Sequence, residues 1–253
     1  MIDLKGRVAL VTGGSRGIGK AVAIQLAKAG ADVVINYLTS QSAAMETAQT
    51  VLDWGRKAFV VKADISEQED IKSMIAFIKE QTGRLDILVG NAASGGFRPL
   101  LGASDRNFEA AMKTNVLSLI HLVQAAYPLL KQGPQRGKIV AISSHGSHLA
   151  LPWYGLVGAS KSALESLVRH LTLEVGDFIN VNIVKAGLVE TNSTRNLPGV
   201  EVMLAGRTTK TMVGNRVLLA EDVANAVCFL ASPLSDMIQG TILTVDGGSV
   251  NHI

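Results

Sequence analysis

Cysteine, aromatic residues and long apolar runs are all scarce in this chain of 253 residues. Cys228 is the only cysteine, so no intramolecular disulfide can form. Its place in an apolar helical pattern predicts a small buried filler rather than a reactive thiol. No run approaches the ~18 apolar residues that a membrane-spanning helix needs, and the N-terminus does not resemble a secretory signal. We therefore expect a cytoplasmic protein that does not enter a membrane.

An excess of one charge is also missing. The chain has 24 basic and 21 acidic residues, a formal charge of +3, and the basic residues are scattered. Nothing in this balance favours nucleic acid as a partner. Histidine, cysteine and carboxylate side chains do not cluster with the spacing of metal ligands, so we predict no metal. Hydrophobic residues make up 47% of the chain, enough for a full core.

Short apolar runs alternate with helical patterns from end to end. Strands are predicted at 7–13, 32–37, 57–64, 85–92, 137–144, 179–187 and 240–248, and helices at 18–30, 40–55, 66–83, 104–130, from 154 onward and at 221–232. Continuous apolar strands in this alternation are typical of a parallel sheet covered on both faces. We predict a single α/β domain over 1–253, a Rossmann-like doubly wound sheet of about seven strands.

The third predicted helix and the longest irregular segment carry further expectations. Ser66 and Glu69 have the spacing of a capping box. The apolar stripe of this helix consists of Ile71, Met74, Ile75 and Ile78. Residues 187–219 form the one long irregular stretch, and loops of that length are usually lids or binding loops. We expect this loop to cover a substrate.

The first strand runs into a glycine-rich turn, TGGSRGIG, that opens a helix. Gly13, Gly17 and Gly19 allow a tight turn, close approach to phosphate and close helix packing, and the helix N-terminus favours an anion. The second strand ends at Asn36 and Tyr37 without the acid that usually binds the ribose diol of NAD. Arg16, inside the turn, could hold a 2′-phosphate, so we predict NADPH.

Asp64 follows the third strand and has two interpretations. It is placed to accept a hydrogen bond from the adenine amino group of the dinucleotide. It could equally cap the next helix.

Motifs along nearly the whole chain resemble those of the short-chain dehydrogenases/reductases. They are TGGSRGIG at 12–19, AD at 63–64, NAA at 91–93, TNV around Asn115, ISS at 142–144, SKSALE around Lys161, AGLVET at 186–191 and DGG at 246–248. The resemblance implies that Asn91 lies under the cofactor, Thr191 binds the nicotinamide amide and Lys161 binds the nicotinamide ribose. The full cofactor-binding set is Gly13, Ser15, Arg16, Gly17, Ile18, Gly19, Asn36, Asp64, Ile65, Asn91, Lys161, Gly187 and Thr191. Ala186 replaces the proline usual in this family.

The spacing of tyrosine and lysine differs from that of ordinary family members, which carry Y-x-x-x-K. Four positions before Lys161 stands Val157, which cannot transfer a proton. Tyr154 stands seven positions before, two helical turns away and one turn further back on the same face. This Y-x6-K spacing resembles the enoyl-acyl-carrier-protein reductases, and the segments 91–99 and 154–174 are most similar to the NADPH-dependent type III enzymes.

Such a reductase transfers hydride to the β-carbon of an enoyl thioester. Negative charge then develops on the thioester oxygen, further from the nicotinamide than a ketone oxygen would lie, and a displaced tyrosine suits that position. We expect Tyr154 to stabilise the enolate, with Lys161 as a nearby cation and Ser144 aligned with the catalytic serine of ketone-reducing members. The α-carbon proton could come from Tyr154 or from water.

Several neighbouring residues have alternative interpretations. Ser144 could simply cap backbone at the strand end. The side chain of Asn115 could order a water relay, and His145 and His148 could be general acids or, more simply, line the pocket. Trp153 could pack or form a wall for an acyl chain. The function alternatives are a carbonyl reductase of the same family and a non-catalytic, NADPH-binding regulatory protein.

The resemblance also implies partners. The substrate would be an acyl thioester on an acidic acyl carrier protein, in fatty acid synthesis or a related pathway. The basic residues that could meet a carrier, or could simply be solvated, are Arg98, Arg195, Arg207, Lys210 and Arg216. The apolar residues that could cover the acyl chain, or anchor the loop, are Met203, Leu204, Met212 and Val213. Many family members are homotetramers built through two long central helices.

Overall fold

The computed structural model describes residues 2–191, 194–196, 199–201, 211–214 and 216–251. Seven parallel strands form one sheet in the order β3-β2-β1-β4-β5-β6-β7, with helices on both faces. The strands are β1 (Val8–Val11), β2 (Asp32–Tyr37), β3 (Ala58–Lys62), β4 (Ile87–Gly90), β5 (Gly137–Ser144), β6 (Ile179–Ala186) and β7 (Ile242–Val245). The predicted α/β fold class is confirmed.

Helices α1 to α7 connect the strands, and none in the described part of the chain is long and apolar enough to cross a membrane. They are α1 (Gly17–Lys28), α2 (Gln41–Asp53), α3 (Gln68–Thr82), α4 (Asp105–Met112), α5 (Ser118–Leu130), α6 (Gly155–Val175) and α7 (Ala220–Leu230). One apolar cluster joins α1, α2 and α7 to one face of the sheet. A second joins α3, α5 and α6 to the other face.

Helix α3 has the predicted apolar stripe but a different beginning. Ile71, Met74, Ile75 and Ile78 are all buried, as predicted. The capping box expected from Ser66 and Glu69 is wrong, because α3 begins at Gln68 with Glu67 at the N-cap position and without a side-chain cap. The amide and hydroxyl of Ser66 instead both donate to Asp64 Oδ1, at 2.8 Å each. Asp64 therefore organises the turn that leads into the helix.

The helical region predicted over 104–130 is interrupted. A five-residue π-helix, Lys113–Leu117, lies between α4 and α5. A π-helical turn inserts one residue into the helical repeat and is often found at functional sites. At its centre lies Asn115, whose buried amide bonds to groups outside the helix. Periodicity alone does not distinguish such an insertion from continuous α-helix.

The predicted substrate loop is only partly described. Residues 192–193, 197–198, 202–210 and 215 lie outside the described part of the chain. The expectations for Met203, Leu204, Arg207 and Lys210 fall there. Met212 and Val213 are described, and both are exposed.

Candidate active site

The functional residues gather at the carboxyl end of the sheet. The strand order reverses direction between β1 and β4, and doubly wound sheets bind ligands in the crevice that forms at such a point. Gly13 follows β1, Asn91 follows β4, Ser144 ends β5 and Gly187 follows β6. The predicted motifs therefore come together because parallel strands end at one edge.

The glycine-rich turn requires glycine at several positions. Gly13 and Gly17 have φ of +62° and +56°, a backbone region that disfavours side chains. A Cβ on Gly19 would clash with the Gly13 carbonyl. Helix α1 begins here, and Arg16 at its N-cap makes no side-chain cap hydrogen bond, so a phosphate could approach the first amides of the helix. This turn fits a dinucleotide.

The buried side chain of Asn36 supports the glycine-rich turn from the protein interior and does not face solvent. It is 2% exposed, and its Oδ1 accepts from the Gly13 amide at 3.2 Å. Its Nδ2 donates to the Ala63 carbonyl at 3.0 Å. Because its polar contacts are internal, direct contact with a cofactor would require one of them to break.

The other predicted cofactor residues surround the turn. Asn91 donates from Nδ2 to the Thr12 carbonyl at 2.9 Å. The methyl group of Thr191 lies close to the position that a Cβ on Gly17 would take, at 3.2 Å, so the start of the long loop crosses over the turn. Ile65 is buried, while Ser15 and Ile18 are partly exposed on the turn. Arg16 is exposed and makes no ion pair with a described residue.

Asp64 and Gly187 complete this set. Asp64 uses Oδ1 for the turn before α3, and Oδ2 has no hydrogen-bond partner among the described residues. The interpretation of Asp64 as a helix cap is wrong, because α3 has Glu67 at its N-cap position and no side-chain cap. Oδ2 remains available for a hydrogen bond. Gly187 donates its amide to the Val245 carbonyl at 2.9 Å and packs against Asp246, whose Cβ would lie 3.0 Å from a Cβ at this position.

Tyr154 lies at the N-cap of α6 with its hydroxyl 2.9 Å from Ser144 Oγ. Burial raises the pKa of Tyr154, and the hydrogen bond with Ser144 lowers it by less. The phenol is therefore protonated at neutral pH. Val157 is buried and packs against the loop at Gly95. Because valine occupies position 157, the tyrosine whose hydroxyl lies near Ser144 is Tyr154.

Lys161 is buried in α6, two helical turns after Tyr154. Its ammonium donates to the Ile142 carbonyl at 2.8 Å, which fixes it beside the end of β5. Burial lowers the pKa of Lys161 to about 8, and the negative charge of Glu165 opposes that shift. The lysine is thus still mainly a cation at neutral pH, placed next to the strand that carries Ser144.

Two residues that sequence reasoning missed hold the tyrosine ring. The ring of Phe97 stacks on that of Tyr154 with centroids 5.7 Å apart and planes 20° from parallel. On Gly146, even a Cβ would clash with the tyrosine ring. Phe97 belongs to the loop after β4 and Gly146 to the loop after β5, and nothing in the local pattern indicates that they meet.

Asn115 connects the loop after β4 to α6. Its Nδ2 donates to the Ser94 carbonyl at 2.7 Å and to Ser160 Oγ at 2.9 Å, and its Oδ1 accepts from the Ser94 amide at 2.8 Å. Both donors of Nδ2 are already used inside the protein, so this side chain positions the wall of the crevice. The water relay stays a prediction.

A buried polar cluster that the sequence did not predict lies behind Ser144. Glu165 forms an ion pair with Lys185 at 3.1 Å and accepts from Ser143 at 2.5 Å. Burial would raise the pKa of Glu165, but hydrogen bonds from Ser143, Ser147 and Lys185 bring it below its usual value. His148 Nδ1 lies 3.1 Å from Lys185. The charges compensate each other locally and stiffen the end of β5 and β6.

His145 does not fit the general-acid interpretation. Its Nε2 lies 3.2 Å from Asp246 Oδ2, although the approach falls outside hydrogen-bond geometry. Burial lowers its pKa against the opposing charge of Asp246, so the imidazole is neutral at pH 7. His148 lies against Lys185, and neither histidine is among the residues that line the space beside Tyr154.

A cavity of about 390 Å³ opens beside Tyr154. This volume falls within the range of small-molecule sites. Leu100, Leu149 and Leu151 form its apolar wall, and Arg98 lies at one side. Trp153 also lines it and, at φ +66°, is the only described residue other than glycine with a left-handed backbone. Such strain is typical of sites with a binding role.

Two of the basic residues expected to meet a carrier protein are already neutralised. Arg195 pairs with Glu190 at 2.9 Å, and Arg216 pairs with Asp222 at 2.6 Å. The single cysteine, Cys228, is 1% exposed, and burial raises its pKa to about 11, which fits the predicted filler role. No group of three potential metal ligands occurs within the described ranges.

Comparison with known proteins identifies the family of this chain. The profile described as "Enoyl-(Acyl carrier protein) reductase" matches residues 13–250. The 1-cyclohexenylcarbonyl-CoA reductase of Streptomyces collinus is 33% identical over 96% of this chain and 86% of its own length. The chain belongs to the short-chain dehydrogenases/reductases. It is therefore an oxidoreductase of a family that uses NAD(P)(H).

Further relatives cover different substrates. Versicolorin reductase 1 of Dothistroma septosporum is 33% identical over 97% of both chains. A short-chain dehydrogenase from Burkholderia cenocepacia, solved in complex with NADP, is 34% identical with a TM-score of 0.88 over 97% of this chain and 98% of its own. A 7α-hydroxysteroid dehydrogenase, solved with NADH and 7-oxo glycochenodeoxycholic acid, is 30% identical with a TM-score of 0.90 over 99% and 96%. Family membership alone does not select the substrate.

Proposed function

We propose that the protein uses NADPH to reduce the C=C bond of an enoyl thioester, in fatty acid synthesis or a related pathway. The observation that carries the proposal is the position of the tyrosine at the start of α6, which is three residues earlier than in ordinary family members. Val157 occupies the place of the usual tyrosine and is buried, whereas the Tyr154 hydroxyl lies 2.9 Å from Ser144. The matching profile and the Streptomyces relative, which is named for an unsaturated acyl thioester, support the same reaction.

The mechanism assigns each side chain a separate task. NADPH, when bound, would supply the hydride that adds to the β-carbon, and the α-carbon of the resulting enolate would take a proton from Tyr154 or from water. Tyr154 donates a hydrogen bond to the thioester oxygen as negative charge develops there, which lowers the barrier in the manner of an oxyanion hole. Lys161 holds the ribose and adds positive charge, and Ser144 orients the phenol through their hydrogen bond. Phe97 and Gly146 hold the ring between them.

NADPH rather than NADH follows from the charge around the turn. Arg16 is exposed beside the glycines and has no carboxylate partner among the described residues. Strand β2 ends at Asn36 and Tyr37, and neither is the acid that usually binds a ribose diol. The Burkholderia relative with bound NADP supports this choice.

A carbonyl reductase is the second candidate. The hydrogen bond between Ser144 and Tyr154 favours it, because a serine and a tyrosine that converge can both bind a ketone oxygen. The two reactions separate by substrate: the first reduces a crotonyl thioester, the second an acetoacetyl thioester.

The Tyr154→Phe variant tests the assignment of the tyrosine. Losing one oxyanion donor should lower kcat/KM for the crotonyl thioester by roughly 100-fold, with NADPH binding unchanged. Tyr127→Phe, on α5, is the matched control and should leave the rate at the wild-type level. Wild-type turnover by Tyr154→Phe would remove the tyrosine from the mechanism, and turnover of the acetoacetyl thioester alone would establish the second candidate.

We propose an acyl carrier protein as the natural carrier and a homotetramer as the assembly. Exposed apolar side chains, among them Leu173 on α6 at 85% and Met237 in the segment before β7 at 97%, support association with further copies. Light scattering coupled to gel filtration measures the assembly directly. A mass equal to one chain would refute the tetramer.

A further inference from the structure

We infer that Arg98 forms an oxyanion subsite in the cavity beside Tyr154, and that the substrate therefore carries a carboxylate or a phosphate. The inference rests on the proposed function, because it takes this cavity as the place of the thioester substrate. The ligand would be amphiphilic: apolar against the leucine wall and anionic where it meets Arg98. A neutral short-chain thioester would leave the subsite unused.

Arg98 is partly buried and lines the cavity beside Tyr154. Its Nη1 donates to Asn107 Oδ1 at 2.7 Å. Its Nε is buried and has no acceptor among the described residues. No described carboxylate forms an ion pair with it, unlike Arg195 and Arg216. Arg98 lines the cavity without a described carboxylate partner, so it lacks the counter-charge that usually accompanies a partly buried cation.

The surrounding loop is built to hold the arginine in this position. The Arg98 amide donates to the Trp153 carbonyl at 2.8 Å, which joins the loop after β4 to the loop before α6. Gly96 leaves room for the guanidinium, since a Cβ there would clash with Arg98 Nη2. Asn107 is itself fixed by bonds from Ser104. The side chain is thus preorganised without an anion.

The cavity gives the remaining chemistry of the ligand. A space of about 390 Å³, open to solvent, is lined by Leu100, Leu149, Leu151 and Trp153, and the polar side chains at its edge are Tyr154 and Arg98. An arginine fork binds carboxylate and phosphate alike. The oxyanion could therefore belong to the acyl group, as a terminal carboxylate, or to the carrier, as the phosphate of phosphopantetheine or coenzyme A.

Three thioesters distinguish these sources. Crotonyl-N-acetylcysteamine has neither anion, crotonyl-coenzyme A has phosphate on the carrier, and glutaconyl-N-acetylcysteamine has a carboxylate on the acyl group. The wild type should prefer one anionic thioester over the neutral one by roughly tenfold or more in kcat/KM, as expected for a charge-assisted hydrogen bond. The preferred thioester identifies the source of the oxyanion.

Arg98→Gln should lower kcat/KM for the preferred anionic thioester at least tenfold more than for the neutral thioester, and Arg98→Lys should retain part of the preference. Arg106→Gln is the matched control, because Arg106 is exposed on α4 and does not line the cavity. Equal loss by Arg98→Gln on all three thioesters would mean a purely structural role and would overturn the subsite. Absence of any preference in the wild type would do the same.

Failure of the proposed function would look different. If the wild type turned over none of the three thioesters, that function would be wrong, and the subsite would be tested by binding instead. The NADPH-bound protein would be titrated calorimetrically with glutarate and with inorganic phosphate. Binding of either probe that Arg98→Gln loses and Arg106→Gln keeps supports the subsite, and binding of neither overturns it.

Discussion

Tyr154 and Lys161 are both removed from water, but burial moves their pKa values in opposite directions. Burial raises the pKa of Tyr154, which keeps the phenol protonated and able to donate. The same effect lowers the pKa of Lys161 to about 8. Burial disfavours the charged form in both cases, and that form is the deprotonated phenol but the protonated amine. At neutral pH the site therefore holds one neutral donor and one cation.

The shift at Lys161 predicts how stability depends on pH. The pKa falls from 10.5 to about 8 in the folded chain, so between these values the unfolded chain binds more protons and stability rises with pH. The free energy of unfolding of the wild type, relative to Lys161→Met, should rise between pH 8 and 10.5 by on the order of 3 kcal/mol. Urea unfolding across this range, without cofactor, measures it.

Lys62→Met, at an exposed position on β3, is the matched control for that series. An identical pH dependence for the wild type and Lys161→Met would contradict the prediction. It would mean that the buried ammonium is solvated in solution or that Glu165 compensates its charge fully.

Arg16 predicts the choice of cofactor. Replacing it with Gln should weaken NADPH binding by roughly tenfold, since a charged hydrogen bond to the 2′-phosphate is lost, and should leave NADH binding unchanged. Fluorescence titration with each cofactor measures both constants. Lys20→Gln, four residues further along in α1, controls for a general loss of positive charge. Equal weakening of NADH and NADPH binding would show that Arg16 does not discriminate between them.

The sequence predicts which side chains form the candidate site better than it predicts the residues that those side chains contact. Tyr154, Lys161 and Ser144 are recognisable from spacing and motif, and the structure brings the serine and the tyrosine together. Phe97, Arg98 and Gly146 meet the tyrosine or its cavity from separate loops. Such contacts depend on loop paths that no periodicity encodes.

At the level of elements, the π-helix between α4 and α5 joins the fold to the site. Asn115 lies inside it and bonds to Ser94 and Ser160, so the inserted residue holds the loop after β4 against α6. That loop carries Phe97 and Arg98. The interruption of the helix therefore positions two side chains of the candidate site.

Asn115→Ala should cost about 1–3 kcal/mol of stability, because it removes the three hydrogen bonds that join the buried Asn115 side chain to Ser94 and Ser160. It should also lower kcat for the crotonyl thioester more than it changes NADPH affinity, since the wall of the crevice loosens. Gln124→Ala, exposed on α5, should change stability by less than about 0.5 kcal/mol. Chemical unfolding and steady-state kinetics on both variants give the comparison, and loss of stability with unchanged kcat would limit Asn115 to a structural role.

The observed bounds of an element match the predicted ones where the buried run is continuous. They differ where a side chain makes hydrogen bonds that interrupt the element. Strands β2 and β5 have the predicted bounds because each is an apolar run between turn residues. Helix α3 begins later than predicted because Asp64 takes both bonds from Ser66. The predicted continuous helix over 104–130 breaks at Asn115 for a comparable reason: a side chain bonds elsewhere.

At the scale of the whole molecule, the strand order explains why distant motifs converge. Residues 13, 91, 144 and 187 are far apart in sequence but follow β1, β4, β5 and β6, which lie side by side. Strict alternation of strands and helices makes this order predictable, since right-handed crossovers leave few alternatives. The substrate is less predictable, because it is set by loops that vary between members of one fold.

The location of the transferred hydride tests the central claim most directly. The protein would be offered equal amounts of crotonyl and acetoacetyl thioesters with NADPH deuterated at the transferable position, and the products would be examined by NMR. We predict deuterium at the β-carbon of a saturated butyryl thioester, with the acetoacetyl thioester left unreacted. Deuterium on the carbinol carbon of a 3-hydroxybutyryl thioester would contradict the account and establish a ketone reductase in which the displaced Tyr154 serves the carbonyl oxygen.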